Sequence, residues 1–431
     1  SENRSSMGFS GEAGSSAQVF PREDTPLIGQ PPPLSSQFKT IANVFIAIVG
    51  SGVLGLPYTF SKTGWLLGAL TIFAVAALTY HCMTLLVATR RKLESANSSP
   101  KIGSFGDLGF AVSGSLGRFA VDAMIVLSQA GFCVAYIIFI AQTLAFLLNS
   151  ASSTILGMSP KSFYIWCCFP FQLGLNSIPT LTHLAPLSIF ADVVDIAAMA
   201  VVMVEDVGIF SRRRPDGIVA WVGGAPTFFY GLGVAVYSFE GMGMVLPLQS
   251  EARNKDRFSR ALALSMAFIS TIYAGFGVLG HLAFGDSTRD IITTNLGKGA
   301  VSAAVQVGLC INLFLTFPLM MNPVYEVVER RFGEGGGWGR QLLMRWVVVL
   351  GVTLVALLVP NFGDFLALVG SSVCSLLGFV LPAWFHWLAF RDERMGWRGV
   401  LSDGTVGVLG VVIAVSGTWS SLSRMLHGRT A

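Results

Sequence analysis

From residue 38 onward the chain alternates long apolar runs with short polar connections. The runs cover residues 38–60, 65–88, 119–148, 163–176, 184–210, 219–248, 258–284, 300–327, 342–360, 362–390 and 404–425. A helix crossing a bilayer needs about 20 mostly apolar residues, and most of the runs reach that length. Barrel strands span in about 10 residues and alternate in polarity, so these runs do not read as strands. The pattern predicts an all-α polytopic membrane protein with 11 transmembrane helices, the fourth being short for a span.

Composition agrees. Of 431 residues, 53% are hydrophobic and 12% charged, with a mean hydropathy of +0.65. Soluble domains carry about 25% charged residues, so the polar surface is too sparse for a globule in water. Residues 1–35 differ: they are rich in Ser, Pro and Gly and are expected to form a disordered cytosolic tail ahead of a transporter domain at 36–426. No charged segment leads into an apolar core and a small-residue cleavage site, so no signal peptide is expected. Within the tail, "EDTPLI" places Glu23 four residues before Leu27 and Ile28, the acidic-dileucine form of a sorting signal. A clathrin adaptor is the partner it implies.

Lysine and arginine set the orientation. Most of the 28 fall on one side if the N-terminus is cytosolic, which puts the C-terminus in the lumen. Arg212–Arg213–Arg214 dissents, since that loop then faces away from the cytosol. The sequon at Asn97 lies in a cytosolic loop and is expected to stay unmodified. A net charge of +4 gives no reason to expect nucleic acid as a partner. The six cysteines lie in apolar runs without CxxC spacing, and the five histidines form no HExxH pair, so no metal or other cofactor is expected. No nucleophile–base pair is evident either, which argues against an enzyme.

The first run contains Gly50-x-Gly52-x-x-Gly55, a literal match to the dinucleotide-binding pattern. That pattern needs a βαβ unit and an acidic residue about 20 positions on. The first acid after Gly55 is Glu94, beyond a second span, so the match is accidental. The glycines have an echo instead. "GSGVLGLPY" from Gly50 and "GMGMVLPLQ" from Gly241 both carry Gly-x-Gly, apolar residues and Leu-Pro. The second site lies five spans after the first. An odd number inverts the second copy, which predicts a five-plus-five inverted repeat with its first helices interrupted, the LeuT-like architecture. Repeat one is 38–210, repeat two 219–390, and the run at 404–425 is an additional eleventh helix. Glycine in mid-helix costs about 1 kcal/mol against alanine, and two of them invite unwinding. Unwound backbone at membrane depth is tolerated only around a cavity. A freed helix N-terminus then suits a carboxylate and freed carbonyls suit an ammonium.

With these residues in view, the sequence resembles the amino acid/auxin permease family, and within it plant vacuolar transporters of neutral amino acids. The stretches that carry the resemblance are "FKTIANVFIAIVGSGVLGLPYTFSKTGW", "SFGDLGFAVSG", "THLAPLSIFADVVD", "VAVYSFEGMGMVLPLQSE" and "CINLFLTFPLMMNPVYEVVERRF". They lie between residue 34 and about residue 332; the last third is less diagnostic. The resemblance implies a LeuT-like fold, with neutral amino acids, protons and membrane lipid as partners. It also implies proton-dependent export from vacuole to cytosol and a vacuolar membrane location. A sensor with the same fold and little turnover is the alternative. Related animal lysosomal carriers have a histidine in the first span where this chain has Asn43. Asn43 cannot carry a proton, so coupling needs another group.

The expected substrate-binding residues follow. Gly50, Ser51 and Gly52 offer backbone N–H groups, while Tyr237, Ser238 and Phe239 line the second break. Ser128 and Gln129 of the third span and Asn312 and Thr316 of the eighth are further candidates, with hydrogen bonding between helices as the plainer role. Glu240 sits at the second break, and a carboxylate at that depth marks function. Proton carrier and backbone pin both stay open for it. Asp192 and Asp195, three apart on one helical face, are second proton-coupling candidates; Asp122 and the Glu205–Asp206 pair are expected to be structural.

Overall fold

A computed structural model describes residues 37–96, 102–148, 154–178, 185–212, 217–332, 337–391 and 396–427. Glu23, Leu27 and Ile28, the tail and the sequon lie outside the described residues. Everything described is helical or connecting, apart from one isolated bridge between Ile155 and Met158.

The first apolar run is not one helix. α1 (Gln37–Ile48) stops ahead of Gly50, whose extended backbone (φ −158°, ψ −161°) cannot continue it. A 3-10 turn, Ser51–Gly55, leads into α2 (Leu56–Thr63), with Pro57 in the first turn where its missing N–H does no harm. The two halves are bent by 53°. The sixth run repeats this arrangement. α7 (Ala225–Ser238) ends at Phe239, a 3-10 turn covers Met242–Met244, and α8 (Val245–Glu251) follows.

Between and after these lie α3 (Trp65–Ala96), α4 (Phe105–Leu147), α5 (Pro160–Asn176), α6 (Ala185–Arg212), α9 (Phe258–Phe284) and α10 (Ala300–Phe332). α11 (Trp338–Leu358) follows. α12 (Phe362–Val369) and α13 (Leu381–Phe390) are joined by π-helical turns at Gly370–Cys374 and Leu376–Val380, and α14 (Trp397–His427) closes the chain.

Among the described residues, eight helical stretches, with α7–α8 and α12–α13 each taken as one, are long and apolar enough to cross a membrane, or nine with α1 and α2 as one bent span. α5, with only 17 residues, is too short for that group. α4 begins well before the apolar run that announced it. Ser104 and Asp107 form a reciprocal capping box at its start. Gly114, at φ 61° and ψ −146°, then folds this first arm back. Gly109 and Gly117 let the arms meet, since a Cβ on Gly117 would lie 2.1 Å from the Gly109 carbonyl oxygen.

The packing puts the two broken helices at the centre. α7 is buried along its length from Tyr230 to Ser238, and Phe60, Tyr230, Phe239 and Tyr273 are among the largest fully buried side chains. α11 and α14 are the most outward helices, showing Leu, Val and Trp on their outer faces as a lipid-facing surface would.

Candidate functional site

The breaks lie against each other. A Cβ on Gly52 would come within 2.9 Å of Ser238 Cα, and one on Gly241 within 2.9 Å of Ile48 Cγ1. Each of these glycines admits the helix end of the opposite half. Gly50 and Gly243 have open space where a Cβ would be. Gly55 admits the Leu366 side chain, which explains the third glycine of the accidental fingerprint.

Beside the breaks is a cavity of about 170 Å³. It is lined by Gly50, Ser51 and Gly52 of the first break and by Tyr237, Ser238 and Glu240 of the second. α4 adds Ser128, Gln129, Phe132 and Tyr136. The N–H groups that start the 3-10 turn at Ser51 have no partner within that turn. Ser51, buried, lies beside the Tyr136 and Tyr237 phenols. The Tyr237 hydroxyl makes no hydrogen bond of ordinary length, and its ring meets Phe132 edge-on at 4.8 Å. Gln129 Oε1 is a second buried atom with no partner. Ser128 and Ser238 donate to their own helices, to Ile125 and Val234 carbonyls at 3.0 and 2.9 Å, leaving oxygen lone pairs for a guest. The Glu240 carboxylate accepts from the Met242 N–H. It therefore pins the turn after the break and borders the cavity at once.

A model of the family described as "Transmembrane amino acid transporter protein" matches residues 34–423, almost the whole helical region around this cavity. The chain belongs to that family. It is 64% identical over 439 residues to the amino acid transporter AVT3C of Arabidopsis thaliana, covering 97% of this chain and 99% of the relative. Vacuolar amino acid transporter 3 of Schizosaccharomyces pombe is 27% identical over 400 residues, covering 87% of this chain and 58% of the relative. Among solved structures, MhsT in complex with L-phenylalanine superposes with a TM-score of 0.54 at 14% identity, covering 91% of this chain and 100% of that one. That likeness is one of fold.

Not every expected residue of this family member reaches the cavity. Phe239 is buried behind the break, its ring 5.2 Å from Tyr273, whose hydroxyl donates to the Ile48 carbonyl. Asn312 and Thr316 lie outside the lining. Asn312 Nδ2 donates to Asp195 Oδ1 at 2.7 Å, and Thr316 donates to Asn312 Oδ1 at 3.0 Å. This polar chain ties α6 to α10. Asp192 lies on α6, but its side chain is outside the described set.

The two ends of the molecule differ. At the end where α1 begins, the cavity runs out to Arg118, Asp122 and Arg330, all partly exposed. Arg330 pairs with Asp122, and Arg118 Nη1 lies 3.4 Å from Asp107 Oδ1. These mouth residues were not singled out for the site from the sequence, and Asp122 was expected only as a structural group. The signal for them is that α4 carries charges beyond its apolar run. At the opposite end, Trp65 N–H donates to Val219 and Val222 N–H to Thr63, at 3.1 and 2.9 Å. Asp290, in the connection after α9, accepts from the N–H groups of Phe362 and Ile291 at 3.2 and 3.1 Å. Burial pushes the Asp290 carboxyl above its usual range, against the pull of those N–H donors. This end is sealed by the first turn of α12 and by α2.

Proposed function

We propose that the protein is a secondary active transporter that moves neutral amino acids across the vacuolar membrane. The carrying observation is that both interrupted helices border one small cavity that opens toward one end of the molecule and is sealed at the other. The cavity has the N–H groups that start the Ser51 turn, an unpaired Gln129 carbonyl and the carboxylate of Glu240, a donor and acceptor set suited to a zwitterion. About 170 Å³ is small beside the hundreds of Å³ typical of pockets for drug-sized ligands. The apolar walls of Phe132, Tyr136 and Met320 suit an uncharged side chain.

On this reading Gly50, Ser51 and Gly52 hold the carboxylate, and Gln129, Tyr237 and Ser238 hold the ammonium side. Glu240 is the first candidate for proton coupling, Asp195 the second. The sequence similarity to AVT3C and to a vacuolar transporter of S. pombe supports the location and substrate class. The paired breaks and the likeness to MhsT support 11 spans arranged as an inverted repeat. With the N-terminus cytosolic, the cavity opens to the cytosol, the side to which export from an acidic vacuole releases substrate. The "EDTPLI" signal is proposed to direct the protein there.

The test is flux of a panel of neutral amino acids into proteoliposomes under an imposed pH gradient. Saturable flux that rises with the gradient is expected. Absence of flux or counterflow with every neutral amino acid overturns the reading.

A further inference from the structure

Asp206 lies near the end of α6 and is fully buried, and neither carboxylate oxygen has a hydrogen-bond partner. It sits beside a close contact. Pro57 of α2 packs so tightly on Gly280 of α9 that a Cβ there would lie 2.6 Å from Pro57 Cβ, and 3.4 Å from Asp206 Oδ2. Among the described residues, the groups around it supply no counter-charge. Glu205, on α6 itself, is exposed and of like sign. His281, next to Gly280 on α9, interacts instead with the Val219 backbone and the Asp286 carboxylate. α10, which also packs on α6, carries no charged residue before Glu326.

An isolated ionised carboxylate in such a place is very costly, whereas a neutral carboxyl loses only about as much as an unmade hydrogen bond. The neutral form is the one compatible with this packing. α2 is the half-helix beyond the first break, and alternating access in such folds rocks or gates one bundle of helices against the other. Tilting α2 away from Gly280 removes Pro57 and admits water to Asp206.

We propose that Asp206 is a proton-binding site that fills when α2 seats against α9, so that proton uptake and closure of this end are one event. By reciprocity, acid on this side favours the closed end, and closure raises proton affinity. The site is distinct from Glu240, which borders the cavity on the other face of the break.

The first arm of the test needs no transport. Thermal stability of the purified protein in nanodiscs is measured from pH 5 to pH 8, for wild type, Asp206→Asn and Glu205→Gln. The folded state holds a proton that the unfolded state releases, so stability falls as pH rises. Wild type and Glu205→Gln are expected to lose several degrees across the range. Asp206→Asn keeps the acidic value and loses less. Equal slopes in wild type and Asp206→Asn overturn the proposal. The second arm rests on the transport reading: flux by Asp206→Asn should no longer respond to pH on the α2 side. An unchanged pH response in the variant also overturns the proposal. Wild type without flux would sink the transport reading alone, since the thermal arm still reports on Asp206.

Discussion

At the scale of single residues, the glycines of the first break do different work. A methyl at Gly52 meets Ser238 backbone, which cannot step aside. Overpacking of this kind costs about 1–3 kcal/mol. Gly52→Ala is therefore expected to lose transport and to melt several degrees lower in a thermal assay. Gly50 is extended, with open space around it, so Gly50→Ala should fold as wild type does. Equal stability of the two variants would contradict the close approach. Tyr237 and Gln129 make a complementary pair of tests. Their unpartnered oxygens contribute little to the fold, so Tyr237→Phe and Gln129→Leu should leave the melting temperature within a degree or two. Both should weaken substrate affinity, read as a raised KM for uptake with little change in stability. A large stability loss would mean that these atoms hold the fold rather than a guest.

At the scale of elements, the short half-helices depend on tethers from their neighbours. Arg90 of α3 is almost completely buried and donates to the Leu246 carbonyl of α8 at 3.0 Å, while pairing with Glu94 at the same distance. Arg90→Met leaves that carbonyl and Glu94 without their cation. A loss of roughly 2–4 kcal/mol is expected, since breaking a buried pair strands the remaining partner, and α8 should become the first segment to exchange amide hydrogens. Unchanged exchange in α8 would count against the tether. Asp290 plays the corresponding part at the sealed end. Asp290→Ala leaves the Phe362 and Ile291 N–H groups unpaired, at about 1–3 kcal/mol if they stay buried. Cysteine accessibility should then rise at α2 and not at the mouth around Arg330. Labelling that rises equally at both ends would show general loosening instead of a released seal.

At the scale of the whole molecule, the ends are built from different materials. The sealed end uses backbone hydrogen bonds between connections, and the open end uses the charges of Arg118, Asp122 and Arg330. An ion-pair mouth is sensitive to ionic strength in a way that a backbone seam is not. Raising salt is accordingly expected to increase accessibility at the mouth, measured by labelling of a cysteine placed at Met320, while leaving α2 protected.

The sequence by itself determined the membrane class, the approximate position of the helices and the two interruptions. Those features are local: hydropathy over 20 residues and glycine spacing within a turn act wherever the rest of the chain lies. The echo of Gly50–Gly52 at Gly241–Gly243 was legible for the same reason. Only the tertiary structure decided which polar residues face the cavity. Ser128 and Gln129 lie on α4 at a position no different in character from Asn312 and Thr316 on α10, yet the first pair borders the cavity and the second is spent on Asp195. Phe239 adjoins the break in sequence and still points away from it. Asp206 looked like an end-of-helix carboxylate until Pro57 and Gly280, from two other helices, were seen to close over it. Helix rotation and the approach of distant segments settle such matters. Neither is encoded in the residue types near a position, because both depend on contacts between segments far apart along the chain.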